Sequence, residues 1–168
     1  EAAHLIYDFL WHDYCDWYVE LAKLRLAKGA DSKTLSILLD TLETSLRLLH
    51  PIMPFVTEEL WQYLTHHSIM TAPWPKAGKR WLDAEAEAQF GLFQAVVTAI
   101  RNTKAELNVP AAARPPVQLS AREDGTVAFF ESQRPFLQAL GHVGDVTIGR
   151  ELPRARQAAA TIVNGVDV

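Results

Sequence analysis

The chain of 168 residues carries a single cysteine, Cys15. An intramolecular disulfide is thereby excluded, and no group of Cys and His has the spacing of a zinc site. The adjacent pair His66–His67 would put two rings about 100° apart on a helix, which suits a loop or helix end better than a metal. No apolar run reaches the roughly 18 residues of a membrane span, and no signal-peptide pattern opens the sequence. A cytoplasmic setting with no membrane partner is the expectation. No glycine-rich loop could cradle a phosphate, and no Ser–His–Asp or Cys–His arrangement stands out. Cys15 lies beside Asp16 and near His12, but a thiol on a tryptophan-rich helix face is expected to be packed and inert. Repeats and low-complexity segments are absent as well. A chain of this length can bury roughly two-thirds of its unfolded surface and needs no metal to fold.

The net charge is −4, which argues against non-specific binding to nucleic acid. The charge is unevenly spread. Residues 1–70 hold ten acids and five bases, whereas residues 71–168 hold ten acids and eleven bases. The second stretch could carry a specific RNA contact or an ordinary solvated surface.

Residues 3–28 read as one long helix, because Ile6, Leu10, Tyr14, Trp17, Leu21 and Leu24 recur at steps of three and four. Its aromatics lie on more than one side, so it should pack on several neighbours. The sequence opens inside this pattern, and elements before it are expected to be missing. Gly29 should end the helix in a left-handed conformation, with Asp31 or Ser32 capping the next one over residues 32–49. Leu35, Leu38, Leu42, Leu46 and Leu49 form an expected buried seam. Pro51 should end that helix at His50, and Pro54 fits the first position of another. Ile52 and Met53 are expected to cover the bundle end, and Phe55, Leu60, Trp61 and Leu64 to face the core. Glu58 and Glu59 favour the early turns through the helix dipole. As adjacent helical residues they point apart, which makes a poor catalytic pair.

Residues 66–82 form a long loop in which Pro73 and Pro75 flank Trp74, followed by Lys76, Lys79 and Arg80. A basic loop with an aromatic can stack on RNA, or Trp74 can pin the loop to the bundle. Asp83 should cap a fourth helix that stops before Pro110, with a core stripe of Ala86, Phe90, Phe93, Val97 and Ile100. Lys104 interrupts that stripe, and it either snorkels over the core or meets something charged. Beyond a proline-rich linker, residues 117–121 and 145–149 read as strands and 126–140 as a helix restarting at Pro135. Asn164–Gly165 between apolar runs signals a hairpin. The expected architecture is mainly α. It comprises an antiparallel bundle over residues 1–109, truncated at its start, and a small α+β appendage over 110–168, truncated at its end. These physical readings alone name no function.

The motifs carry a resemblance. "LLHPIMPFVTEELWQ" at 48–62 resembles the anticodon-binding bundle of the class I aminoacyl-tRNA synthetases for Val, Ile and Leu. "CDWY" at 15–18, "MTAPWP" at 70–75, "IRNTKAELNVP" at 100–110 and the closing "ATIVNGVDV" are similar to valyl-type segments in the same order. The resemblance, covering nearly the whole chain, is to the valyl-tRNA synthetases. It implies a C-terminal fragment of an enzyme that attaches valine to tRNA(Val), with ATP and magnesium serving a catalytic domain not present here. The signatures "HIGH" and "KMSKS" are absent from these residues, so the fragment itself should need no cofactor and have no catalytic residue. Its implied role is to hold the anticodon stem-loop. The implied partners are tRNA(Val) and the rest of the synthetase, with self-association in isolation through exposed bundle surface. Candidate tRNA-binding residues are Arg101, Asn102, Lys104, Asn108, Lys76, Lys79, Arg80 and Trp74. For Arg101 and Asn102 a structural tie to the appendage is the competing reading. At 104 a Lys replaces the family's common Arg, which keeps the charge and loses the bidentate fork. The alternatives are an isoleucyl- or leucyl-type fragment, or a free-standing helical module that binds protein.

Overall fold

The computed structural model describes residues 1–29, 31–78, 82–153 and 158–168. They form two compact units, Glu1–Arg80 and Trp81–Val168. The first unit is helical, and the second combines helices with a four-stranded sheet. The fold is therefore mainly α, with a small α+β part.

The first unit opens with a continuous rod. Its ends, α1 (Ala2–Asp8) and α2 (Glu20–Leu26), are α-helical, and Phe9–Val19 between them winds as a π-helix. The single helical period expected for this stretch is thus corrected. The apolar stripe nevertheless turns inward: Tyr14 is buried, Ile6, Leu10, Trp17, Leu21 and Leu24 are half-buried, and Ala22 beside the stripe is buried. The Tyr14 hydroxyl donates to the carbonyl of Leu38 at 2.9 Å. Burial and the neighbouring Cys15 raise the Tyr14 pKa above the ordinary phenol value. Rings four apart stack along the rod: Tyr7 on Trp11 at 6.1 Å and Tyr14 on Tyr18 at 6.2 Å. Gly29, at φ +140°, supplies the left-handed exit.

Asp31 then caps α3 (Ser32–Leu49). Its carboxylate accepts from the amides of Lys33 and Thr34 and from the Thr34 hydroxyl at 2.5 Å. The buried face of α3 is rotated from the expected leucine seam. Leu46 is buried and Leu38, Leu42 and Leu49 half-buried, but Leu35 is 47% exposed while Thr34 and Ser45 are buried. Small hydroxyls suit close helix contact when they satisfy themselves locally, and Ser45 Oγ donates to Thr41 O at 2.8 Å.

His50 keeps helical dihedrals despite the following proline, so the chain leaves the helix at Pro51. Pro54 opens α4 (Pro54–Thr65) as expected. The corner is locked by His50 Nδ1 and Thr57 Oγ1, 2.8 Å apart. Because Thr57 donates to Met53 O at 2.8 Å, its single hydrogen is spent and the imidazole must donate through Nδ1. Trp61 packs with Leu46 and Ile69, flanked by Leu42, Leu64 and Ala72. Two expectations for the corner fail. Ile52 and Met53 are exposed rather than covering an end, and Phe55 is 91% exposed. The helix turns Thr57 and Trp61 inward, which leaves Phe55 and Leu60 on the outer side.

In the second unit Asp83 caps α5 (Ala84–Glu106), accepting from the Ala86 amide at 3.0 Å. Phe93, Val96, Val97 and Ile100 are buried. The sequence pattern groups this helix with the bundle; within the second unit it packs against α6 (Asp124–Gly141). That helix runs through Pro135 without a break. The sheet order is β2-β1-β4-β3. β1 (Val117–Ala121) pairs in parallel with β2 (Val146–Arg150) through the α6 crossover. β4 (Val166–Asp167) pairs antiparallel with β1 and with β3 (Ile162–Val163). Asn164 and Gly165 take φ +46° and +82° between them, as a two-residue hairpin demands. Phe130, Leu137, Leu119, Val143 and Val166 fill the core.

Candidate nucleic-acid interface

The candidate residues fall into two sets, one on each unit. In the first unit they lie on the loop after α4. That loop is moored at two points in its first half. Near its start, the Glu58 carboxylate accepts from the Ser68 hydroxyl and the Ile69 amide, each at 3.1 Å, and from Gln62 Nε2 at 2.7 Å. These donors, Gln62 first, hold the Glu58 carboxyl below its ordinary pKa. Further on, Arg47 from the last turn of α3 donates through Nη1 to Pro73 O at 3.1 Å. The same guanidinium lies over the Trp61 ring, 5.8 Å from its centroid. Sequence reasoning missed both anchors. It assigned Glu58 to the helix dipole alone and gave Arg47 no role.

Trp74 and Lys76 stand exposed on this moored segment. Beside Trp74 is a cavity of about 150 Å³, which Arg47, His50, Ile69, Met70 and Ala72 help to line. Lys79 and Arg80 lie outside the described residues.

The second set sits at the C-terminal end of α5. Arg101 Nε donates to Leu140 O at 2.9 Å. Lys104 Nζ donates to His142 O at 2.6 Å and to Ala113 O at 3.3 Å. Two cations from α5 therefore meet carbonyls at the C-terminal end of α6, where the helix dipole is negative. The break in the α5 apolar stripe at Lys104 is explained by this reach. Of the two readings of Arg101, the tie within the appendage is the one with a visible hydrogen bond.

Asn102 is exposed. Asn108 is exposed too, and its backbone has φ +52°. The amide of Asn108 bonds to Ala105 O and that of Val109 to Lys104 O, the paired closure of a Schellman ending. Asparagine tolerates this left-handed position better than other residues with a side chain. A conformational reason for an Asn at 108 thus exists alongside any contact its amide makes. The helix end also borders a larger cavity of about 740 Å³, to whose lining Thr103, Lys104, Leu107, Gln118 and Asp167 contribute.

No group of three or more acids, His or Cys that could hold a metal occurs among the described residues. No helix among them is long and apolar enough to cross a membrane.

Comparison with known proteins gives these features a context. Residues 1–119 match the family described as the anticodon-binding domain of tRNA ligase. The valine–tRNA ligase of Bacillus cereus is 36% identical over 173 residues, covering all of this chain and 20% of that protein. That of Laribacter hongkongensis is 40% identical over 164 residues, covering 92% of this chain and 17% of that protein. The Halalkalibacterium halodurans enzyme is 32% identical over 173 residues. The chain spans about a fifth of the length of these relatives.

Proposed function

The chain belongs to the anticodon-binding domain family of tRNA ligases, and from that membership we propose that it is the tRNA-holding part of a valine–tRNA ligase. The observation that carries the proposal is the alignment of the whole chain with one segment of the Bacillus cereus valine–tRNA ligase. The parent protein would use ATP and magnesium to attach valine to tRNA(Val), in the cytoplasm, through a catalytic domain elsewhere in its chain. The residues described above would grip the anticodon stem-loop. The rest of the synthetase is then a second partner. Exposed apolar side chains such as Phe55 and Trp11 would favour self-association of the isolated piece.

Anticodon bases are unstacked, and proteins read such bases by stacking and by hydrogen bonds to their edges. Asn102 and Asn108 would offer amides for edges at the end of α5. Trp74, Lys76, Lys79 and Arg80 would meet the loop and its phosphates. Arg101 and Lys104 would hold the end of α6 in place, and the remaining N–H of Lys104 would face a phosphate. The test is tRNA(Val) binding by the full-length protein carrying this chain. Asn102→Ala and Lys76→Ala should each weaken it. Asn108→Gly preserves the left-handed backbone while removing the amide, and it should weaken binding without loss of stability. Wild-type binding by all three would overturn the assignment of these residues.

A further inference from the structure

We infer that the cavity between Trp74 and His50 is a slot for one unpaired nucleobase of the bound tRNA. This rests on the tRNA-holding role proposed above and adds to it a defined site, with Arg47, His50 and Met70 as new members.

The first argument is the exposure of Trp74. A tryptophan that pins a loop is buried, as Trp61 is at 7%; Trp74 is 60% exposed. It is nevertheless held. Pro73 and Pro75 fix the backbone dihedrals on either side of it, and Arg47 bonds the Pro73 carbonyl at 3.1 Å. An exposed aromatic on a moored backbone is partly pre-organised for stacking, since less loop freedom remains to be lost on binding.

The second argument is the chemistry of the slot. Its lining includes the apolar side chains of buried Ile69 and half-buried Ala72. Arg47 and His50 are among its lining residues, and no carboxylate is. His50 donates through Nδ1 to Thr57, which leaves Nε2 to accept. Met70 Sδ lies 3.1 Å from it on a side chain that is 75% exposed and can swing aside. Nε2 would then meet a polar edge. Lys76, two residues beyond the tryptophan, is exposed, and its ammonium would neutralise a phosphate. An aromatic face, a polar edge and a flanking cation together match a base with its phosphate.

The third argument is size. At about 150 Å³, the cavity is well below the ~300–1,000 Å³ of a site for a drug-sized ligand. A single ring system fits that volume; a whole nucleotide cofactor does not.

The experiment uses the full-length protein and a set of tRNA(Val) anticodon stem-loops, each carrying 2-aminopurine at one unpaired position. Wild-type protein should quench the fluorescence at one position. Trp74→Ala should abolish that quench and weaken binding roughly 5- to 150-fold, the range for loss of one base–aromatic stack. Trp74→Phe should retain both within a few-fold. Trp74→Leu keeps an apolar anchor for the loop without an aromatic face, and it should behave as the Ala variant does. Stem-loop binding of wild-type strength by the Ala and Leu variants, with no Trp74-dependent quench, overturns the slot and leaves the tRNA-holding role standing. Failure of the wild-type protein to bind any stem-loop overturns both.

Discussion

Lys104 of α5 donates from Nζ to the carbonyl of His142 at 2.6 Å, 38 residues away in sequence. This bond seats a cation on the negative end of α6. It also explains why an otherwise apolar stripe contains a lysine. Removing the ammonium as Lys104→Met keeps the apolar stem and should cost about 1 kcal/mol, the scale of a charge at a helix terminus. The midpoint of urea unfolding of this chain should fall accordingly. If the remaining N–H also meets a phosphate, the slope of log K against log salt for tRNA binding should shrink by about one charge. An unchanged urea midpoint would remove the structural tie; an unchanged slope would remove the phosphate contact.

Asp31 predicts a pH dependence. The Thr34 hydroxyl, followed by the Thr34 and Lys33 amides, holds its carboxyl below the ordinary value. A depressed pKa stabilises the fold above the unfolded-state value and loses that contribution as pH falls through the folded one. Thermal stability should therefore drop from about pH 4 downward, and the drop should be shallower in Asp31→Asn. Parallel melting curves for the two proteins across this range would contradict the cap as an ionised acceptor.

Two glycines should respond in opposite directions. A Cβ on Gly144 would stand 2.7 Å from the Arg114 carbonyl oxygen, a backbone atom, in a turn whose Gly144 amide bonds to Pro115 O at 2.9 Å. Gly144→Ala should destabilise the fold. Gly91 is exposed in the middle of α5, and a methyl added there would meet nothing within 4 Å. Gly91→Ala should stabilise by about 0.5–1 kcal/mol, from helix propensity and reduced unfolded-state freedom. Calorimetry of both variants decides the matter.

Much of the fold was legible because its signals are local. Gly29, Asp31, Pro54, Asp83 and Asn164–Gly165 each act within a turn of their own position, and each does what its chemistry dictates. The unread features depend on distant partners. The buried face of α3 depends on its neighbours, among them the rod, whose Tyr14 hydroxyl bonds Leu38 O 24 residues on. The π winding of Phe9–Val19 leaves no mark in the spacing of its apolar residues. At the candidate site, Trp74 and Lys76 were readable as an aromatic and a cation in a loop. The roles of Arg47 and Glu58 were not, because their partners are a carbonyl, a hydroxyl and an amide ten to 26 residues away; for Arg101 the tie to the appendage was one of two readings, and the carbonyl that Lys104 meets lies 38 residues away.

The central claim is that this chain recognises an anticodon. Its most direct test is competition binding to the full-length protein between two tRNA(Val) stem-loops that differ only in their three anticodon bases. The valine anticodon should bind at least about fivefold more tightly, the lower bound when a single edge contact worth roughly 1–3 kcal/mol is lost. Equal affinity for the two loops at several salt concentrations would contradict it.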